Sequence, residues 1–571
     1  MTLSRKNLVV DMDNLRFVLF VFLVFLSYML WEQWQVDYGP KREVQATSST
    51  AEKPVDAPSV TEATAGAAEK TAATPATARE DKVPRGQRIK VATDVMRLEI
   101  DTTGADIHVL DLPAYPLNKD QPDLPVRLLD DQPAELFISQ SGFMGKENAV
   151  PNHYSSWQAA ASEYQLADGQ NELRIPLTWT SDQGVKVVKT YVFKRGSYLI
   201  EMEQQVFNQT NEPWRGRQYT QLQRKEPLKK AGSAFSTSSA DRAYTGGVLY
   251  TKEEKYEKIS FEDMEEKSLD RHGQDGWVAM IQHYFLAAWI PPSSEEATFY
   301  TKALPEHRFV IGVVSPQAEV APGTQQEFKA RLFAGPKLQH VLESIAPGLE
   351  LTVDFGALTV IAKPIFWLLE KFHSLFANWG WAIVFVTITI KLLFFKLSEA
   401  SYRSMANMRK LQPKLQELKE RHGADKQKFN MEMMELYRKE KVNPLGGCLP
   451  VLVQIPVFIS LYWVLVETVE LRQAPFILWL NDLSAKDPYF ILPLIYGVSM
   501  FIQQKLNPAP TDPIQAKVMQ YFPFIFTVFF AFFPSGLVLY WVVNNLLSIA
   551  QQWYITRQID GPKKPHAPAR A

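Results

Sequence analysis

Between residues 89 and 336 apolar and polar positions alternate in short runs, VMRLEI, ELRIPLTWT, VKVVKTYVFKRGSYLIEMEQQVF, HYFLAAWI, HRFVIGVV and EFKARLF. The runs are rich in Val, Ile, Tyr and Phe and are separated by Gly, Pro, Asn and Asp, a period-two pattern that predicts antiparallel strands. Their number predicts one large all-β domain, a sandwich or barrel. VVKTYVFKRGSYLIEMEQQV reads as a hairpin around Arg195-Gly196. Elsewhere the apolar positions are continuous, at 17–36, 378–397, 449–469, 489–506, 518–533 and 537–556. A bilayer crossing takes roughly 20 such residues as a helix, so the pattern predicts about six spans, one N-terminal anchor and a five-span core. The fold class expected is a polytopic α-helical membrane protein carrying a large all-β domain.

The remaining stretches connect these parts. Residues 37–88 are mostly Ala, Thr, Glu, Pro and Ser with few aromatics, a composition that buries too little surface to offset ordering entropy, and are expected to be a disordered linker. Residues 337–377 contain a short helical candidate and a stronger one, AKPIFWLLEKFHSLF, with Ile365, Leu368, Leu369, Phe372 and Phe376 on one side. It is too short and charged to span and is expected to lie in the membrane interface. Residues 398–448 predict a helical hairpin, with Met405, Met408, Leu411, Leu415 and Leu418 facing Phe429, Met433 and Leu436. Residues 470–488 and 507–517 are loops.

Charge changes the picture by giving the spans a direction. The net charge of -1 hides a basic hairpin, with Arg409, Lys410, Lys419, Arg421, Arg438 and Lys439 among its cations, and a basic tail at 557–571. Positive residues mark the cytoplasmic side, so both termini, including residues 1–16, are expected inside and the β domain outside. A solvated face and an orientation signal account for the hairpin cations; a docking surface for a ribosome or another partner is the sharper alternative. One cysteine, Cys448, excludes an intrachain disulfide and any cysteine-based metal site.

Lys391 stands inside an apolar run, where an ammonium near the bilayer centre costs on the order of 2.5–3.5 kcal/mol. It either snorkels to the headgroups or faces a hydrated interior. Thr387 lies one turn earlier on the same face, Gln454 sits inside another span, and Trp541, Asn544, Asn545, Ser548 and Gln552 share one stripe of the last. Unpaired amides in hydrocarbon are costly, so these groups are expected to face one another or water. With no intramembrane acid to pair the lysine, they point to a hydrated cavity that receives an anionic visitor; hydrogen bonds that merely hold helices together are the alternative.

Enzyme chemistry is not indicated. The histidines of the β region, His108, His153, His272, His283 and His307, fall outside any GxSxG, HExxH or paired-carboxylate spacing, and GxxxxGK[ST] is missing. Ser535 has no histidine within the spans to act as its base, which speaks against an intramembrane protease. A solute transporter would show inverted repeats and coupling acids, and neither is visible.

The segments MRKLQPKLQELKERHG, EMMELYRKEKVNPLGGCLPVLVQIPVF, VELRQAPF, LWLNDLSAKDPYFILP and FPSGLVLYWVVNNLLSIAQQ closely resemble the YidC family of membrane protein insertases. The resemblance implies a bacterial inner-membrane insertase and chaperone without cofactors or covalent chemistry, and a periplasmic domain of supersandwich type. It implies nascent membrane-protein clients, the Sec translocon, and the ribosome and signal recognition machinery as partners, without nucleic-acid sequence recognition. The family's groove cation maps onto Lys391, where the family often has arginine; lysine keeps the charge but loses the planar fork. By the same resemblance Thr387, Gln454, Tyr540 and Trp541 line the groove, and Phe458, Leu461, Phe526 and Phe529 form a lipid-exposed slide for a client helix.

Overall fold

The computed structural model describes residues 56, 58, 85–145, 150–227, 243–293, 295–422, 425–440, 449–507 and 513–560. The expected anchor at 17–36 lies outside these residues, as does nearly all of the expected linker. The described residues form two compact units, 56–353 and 354–560.

The first unit is built from three sheets. The largest has nine strands in the order Lys255–Ile259, Gly246–Thr251, Trp277–Ile281, Phe285–Ile290, Gln325–Pro336, Leu199–Asn208, Val185–Lys194, Glu172–Thr180 and Gln158–Ala159. Strand Leu199–Asn208 buries every second residue, as its alternation predicts, whereas the unbroken apolar strands WVAMI and FLAAWI are buried on both faces. The predicted hairpin pairs Ile200 with Phe193 and turns through Gly196 at φ +70°, a left-handed conformation suited to glycine. A six-stranded sheet runs Asp270–Gly273, Ala297–Leu304, Arg308–Val314, Trp214–Lys225 and Ala318–Val320, with Phe137–Gly145 also paired to Trp214–Lys225. It packs on the first sheet, where Trp289 Nε1 donates to the Gln221 carbonyl at 3.2 Å and Gln218 Nε2 to Gln204 Oε1 at 2.8 Å. The third sheet orders Gln121–Leu129, Asp106–Asn118, Arg97–Asp101, Arg88–Ala92 and Glu163–Gln165. Helix α1 (Phe261–Glu266) opens on a Ser260–Asp263 capping box, and α2 (Gln339–Ile345) follows the last strand.

One fully buried lysine ties the three sheets together. Lys189 Nζ, on the nine-stranded sheet, donates to the Gly104 carbonyl at 2.7 Å, to Ser141 Oγ at 3.0 Å and to Asp106 Oδ1 at 3.3 Å. Ser141 belongs to the strand paired with the six-stranded sheet and Asp106 to the third sheet.

The second unit is helical: α3 (Thr359–Phe376), α4 (Trp379–Leu393), α5 (Phe395–His422), α6 (Lys426–Lys439), α7 (Leu449–Glu467), α8 (Ile491–Leu506), α9 (Pro513–Phe530) and α10 (Ser535–Asp560). Helix α3 buries Ala362, Ile365, Phe366 and Leu369 and packs on α4 and α7. Asn378 starts α4, accepting from Trp381 N at 3.1 Å while its own amide donates to the Phe476 carbonyl at 3.0 Å. The expected straight span at 378–397 is broken: α4 ends at Leu393, and α5 departs at 67°. At the start of α5, Gln551 Nε2 from α10 donates to the Phe395 carbonyl at 3.2 Å, which ties α10 to the bend. No single described helix is long and apolar enough to cross a membrane, but the bent pair α4 and α5 meets that length together. Helix α9 begins at Pro513, inside the expected loop, and crosses α8 closely: a Cβ added to Gly497 would stand 2.0 Å from Thr527 Oγ1.

The predicted helical hairpin is α5 with α6, which buries Leu411 and Leu415 and joins Lys414 to Glu440 at 2.6 Å. Met405 and Met408, expected in that seam, line a cavity instead.

Removing one member of a buried ion pair strands the other. Asp106→Ala is therefore expected to destabilise the β unit by about 3–5 kcal/mol, whereas the double variant Asp106→Leu with Lys189→Met recovers most of that loss. Urea unfolding followed by tryptophan fluorescence measures both.

Candidate functional site

Helices α4, α5, α7, α8 and α10 enclose a cavity of about 470 Å³. Its polar lining comes from Lys391 on α4, Ser398, Ser401 and Tyr402 on α5, Gln454 on α7, Gln503 and Asn507 at the end of α8, and Tyr540, Trp541, Asn544, Asn545 and Ser548 on α10. Apolar walls are supplied by Met405, Met408, Ile455 and Phe458.

Lys391 lies in the last turn of α4 and is 8% exposed. Its Nζ donates to Ser548 Oγ at 2.7 Å, and Ser548 in turn donates to the Asn544 carbonyl at 2.7 Å. Among the described residues no carboxylate stands within ion-pair distance of this ammonium. A buried cation held by one hydroxyl retains unsatisfied donors, and it sits where a wet cavity can satisfy them. Asn545 Nδ2 donates to Ser499 Oγ at 3.0 Å, and Gln552 Nε2 to Asn507 Oδ1 at 3.0 Å, so part of the α10 stripe joins that helix to α8. Trp541 packs between Phe458, at 4.6 Å, and Phe530, at 5.7 Å, while its buried Nε1 has no hydrogen-bond partner among the described residues.

Six of the seven residues expected in a groove, Lys391, Gln454, Tyr540, Trp541, Asn544 and Asn545, line this one cavity. Thr387 does not. It is 1% exposed and its hydroxyl donates to the Ile383 carbonyl one turn back, at 2.7 Å. Of the expected slide, Phe458 borders the cavity, Phe526 is half-buried and Phe529 is 52% exposed, but Leu461 is fully buried and cannot face lipid. The basic residues Arg409, Lys410, Lys419, Arg421, Arg438 and Lys439 are all exposed on the hairpin. Ser398, Ser401, Tyr402, Gln503 and Asn507 were missed, although Ser398, Ser401/Tyr402, Met405 and Met408 recur at helical spacing on α5. Ser535 is buried, its hydroxyl donating to the Asp482 carbonyl at 2.7 Å, a loop-fixing role.

The model of the YidC periplasmic domain matches residues 88–368, and that of the 60Kd inner membrane protein matches residues 371–563. The membrane protein insertase YidC of Methylococcus capsulatus is 67% identical over 553 residues, covering 96% of this chain and 99% of the relative. The chain belongs to the YidC family of membrane protein insertases. The family's member from Thioalkalivibrio sulfidiphilus is 51% identical over 571 residues, with 96% and 99% covered. A solved structure described as an active YidC insertase with the first transmembrane domain resolved covers 83% of this chain and 93% of its own, at 18% identity and a TM-score of 0.39. YidC membership makes the β unit the family's periplasmic domain, places the chain in the inner membrane, and makes it an insertase rather than an enzyme.

Solvent access to the cavity separates its lining from its supports. In a Cys448→Ser background, a water-soluble maleimide is expected to label Asn544→Cys and Gln454→Cys of the solubilised protein. Thr387→Cys and Leu461→Cys are expected to react at least tenfold more slowly, read by mass spectrometry.

Proposed function

We propose that the cavity is a client groove, open toward the cytoplasm, in which a weakly charged extracytoplasmic segment of a membrane protein is partly solvated during its crossing. The observation that carries this reading is the buried Lys391 ammonium, partnered by the Ser548 hydroxyl and facing a cavity lined by amides and hydroxyls. A client carboxylate entering there gains a cation and several donors in place of the water it leaves, which lowers a desolvation cost that bare hydrocarbon would impose in full. The unpartnered Trp541 Nε1 is a further donor for a client carbonyl.

The client's apolar helix leaves sideways along the exposed aromatics of α9, among them Phe522, Phe524 and Phe529, beside Phe458. Burial of its apolar surface in lipid drives the step at roughly 25 cal/mol per Å². A membrane potential adds about 2.3 kcal/mol per 100 mV for each acidic charge moved outward. The groove acts by solvation and charge, and no bond of the client is made or broken.

In this reading the spans form a six-helix arrangement with both termini cytoplasmic, and α3 lies in the outer interface. The exposed cations of the hairpin, Arg409, Lys410, Lys419, Arg421, Arg438 and Lys439, receive the ribosome or signal recognition machinery, and the protein works alone or beside the Sec translocon. The basic charge and exposure of the hairpin support that assignment.

Insertion of a small single-span client with an acidic external tail, measured in reconstituted vesicles, tests the charge. Lys391→Arg is expected to insert within about threefold of the parent, Lys391→Ala several-fold more slowly and Lys391→Glu at least tenfold more slowly, a difference of about 1.4 kcal/mol. Equal rates for all three variants would remove the charge from the mechanism.

A further inference from the structure

Residue 56 belongs to the Pro- and Ala-rich stretch that precedes the β unit, yet its side chain is buried within that unit: Asp56 is 8% exposed. An aspartate so enclosed needs partners. Tyr154 Oη donates to Asp56 Oδ1, His153 Nε2 stands 3.2 Å from the same oxygen, and Gln221 Nε2 donates to the Asp56 carbonyl at 3.2 Å.

These partners are held in place independently of Asp56. His153 is buried, and its Nδ1 meets the Tyr219 hydroxyl, which leaves Nε2 as the nitrogen beside the carboxylate. Gln221 is fully buried, its amide also donating to Gln140 Oε1 at 2.8 Å while Tyr300 Oη donates to its carbonyl oxygen at 2.5 Å. The pocket thus presents a tyrosine hydroxyl and a nearby imidazole nitrogen for a carboxylate and one amide for the adjoining peptide group. Burial pushes the Asp56 carboxyl up, but the hydrogen bond and charge of His153, with the Tyr154 bond, outweigh it and hold the group at about 2. The anion that fits this pocket is the one ionised throughout the physiological range.

We propose that Asp56 is a clip that fastens the stretch between the N-terminal apolar run and the β domain into a carboxylate pocket formed by His153, Tyr154 and Gln221. The clip decides how much chain connects the two. Nineteen residues, 37–55, separate the apolar run from the clip, against fifty-one, 37–87, up to the first strand. At about 3.4 Å per extended residue the greatest reach falls from roughly 175 Å to roughly 65 Å. The N-terminal apolar run is thereby kept on a short tether to the β domain, its length set by Asp56 and not by the whole linker.

The test uses the full chain in detergent micelles, with a nitroxide attached through Ala57→Cys in a Cys448→Ser background. With Asp56 present the electron paramagnetic resonance spectrum is expected to show restricted motion. Asp56→Ala, and separately the pair His153→Gln with Tyr154→Phe, are expected to convert it to the narrow lines of a freely tumbling label. Asp56→Ala lies before the first strand and leaves every strand residue intact, so it decides the matter even if the pocket variant unfolds. A mobile label with Asp56 intact, or a restricted one after Asp56→Ala, overturns the clip.

Discussion

The helical unit is arranged around the solvation of one ammonium. Lys391 sits among the apolar residues of α4, where an unpartnered cation is costly, and the Ser548 hydroxyl of α10 supplies its recorded side-chain contact. Ser548 can accept from Lys391 because its own proton goes to the Asn544 carbonyl of the preceding turn. That geometry requires α10 to lie against α4. Beyond the 67° turn at Phe394, Ser398, Ser401 and Tyr402 of α5 line the same cavity that Lys391 faces. Gln551 of α10 donates to the Phe395 carbonyl at the turn and joins the two helices there.

Two of the buried lysines, Lys189 and Lys391, make an instructive pair. Lys189 in the β unit is enclosed by a carboxylate, a hydroxyl and backbone carbonyls, so its positive charge is consumed locally and serves cohesion between sheets. Lys391 has a hydroxyl and a cavity, so its field is left for whatever enters. The same residue type is ion-paired in one unit and without a carboxylate partner in the other because its neighbours differ, not because its burial does. In the proposed mechanism this difference is the useful one: a neutralised cation attracts nothing, whereas one with spare donors would favour acidic segments without holding them by a bidentate grip.

Much of this was legible in the linear pattern. Period-two alternation in residues such as those of Leu199–Asn208 marked the β unit, because burial on one face of a strand leaves a local signature. Continuous apolar runs marked the helices, and an ammonium in an apolar run marked Lys391. Thr387 and Leu461 were misplaced for a shared reason. Helical spacing and family likeness put them near the groove, but a threonine in a helix can satisfy its hydroxyl on its own carbonyl, as Thr387 does at Ile383, and an aliphatic residue faces lipid or a neighbour with the same periodicity.

Composition and periodicity alone therefore determined the two classes of secondary structure and the one cation set in an apolar helical run. Those properties are local, written in residues a few positions apart. Tertiary structure decided the bend at Phe394, the entry of α5 into the cavity wall, the choice of Ser548 as the partner of Lys391, and the capture of Asp56 by His153 and Tyr154. Each depends on residues about a hundred or more positions apart, and packing between elements rather than any local period selects such contacts.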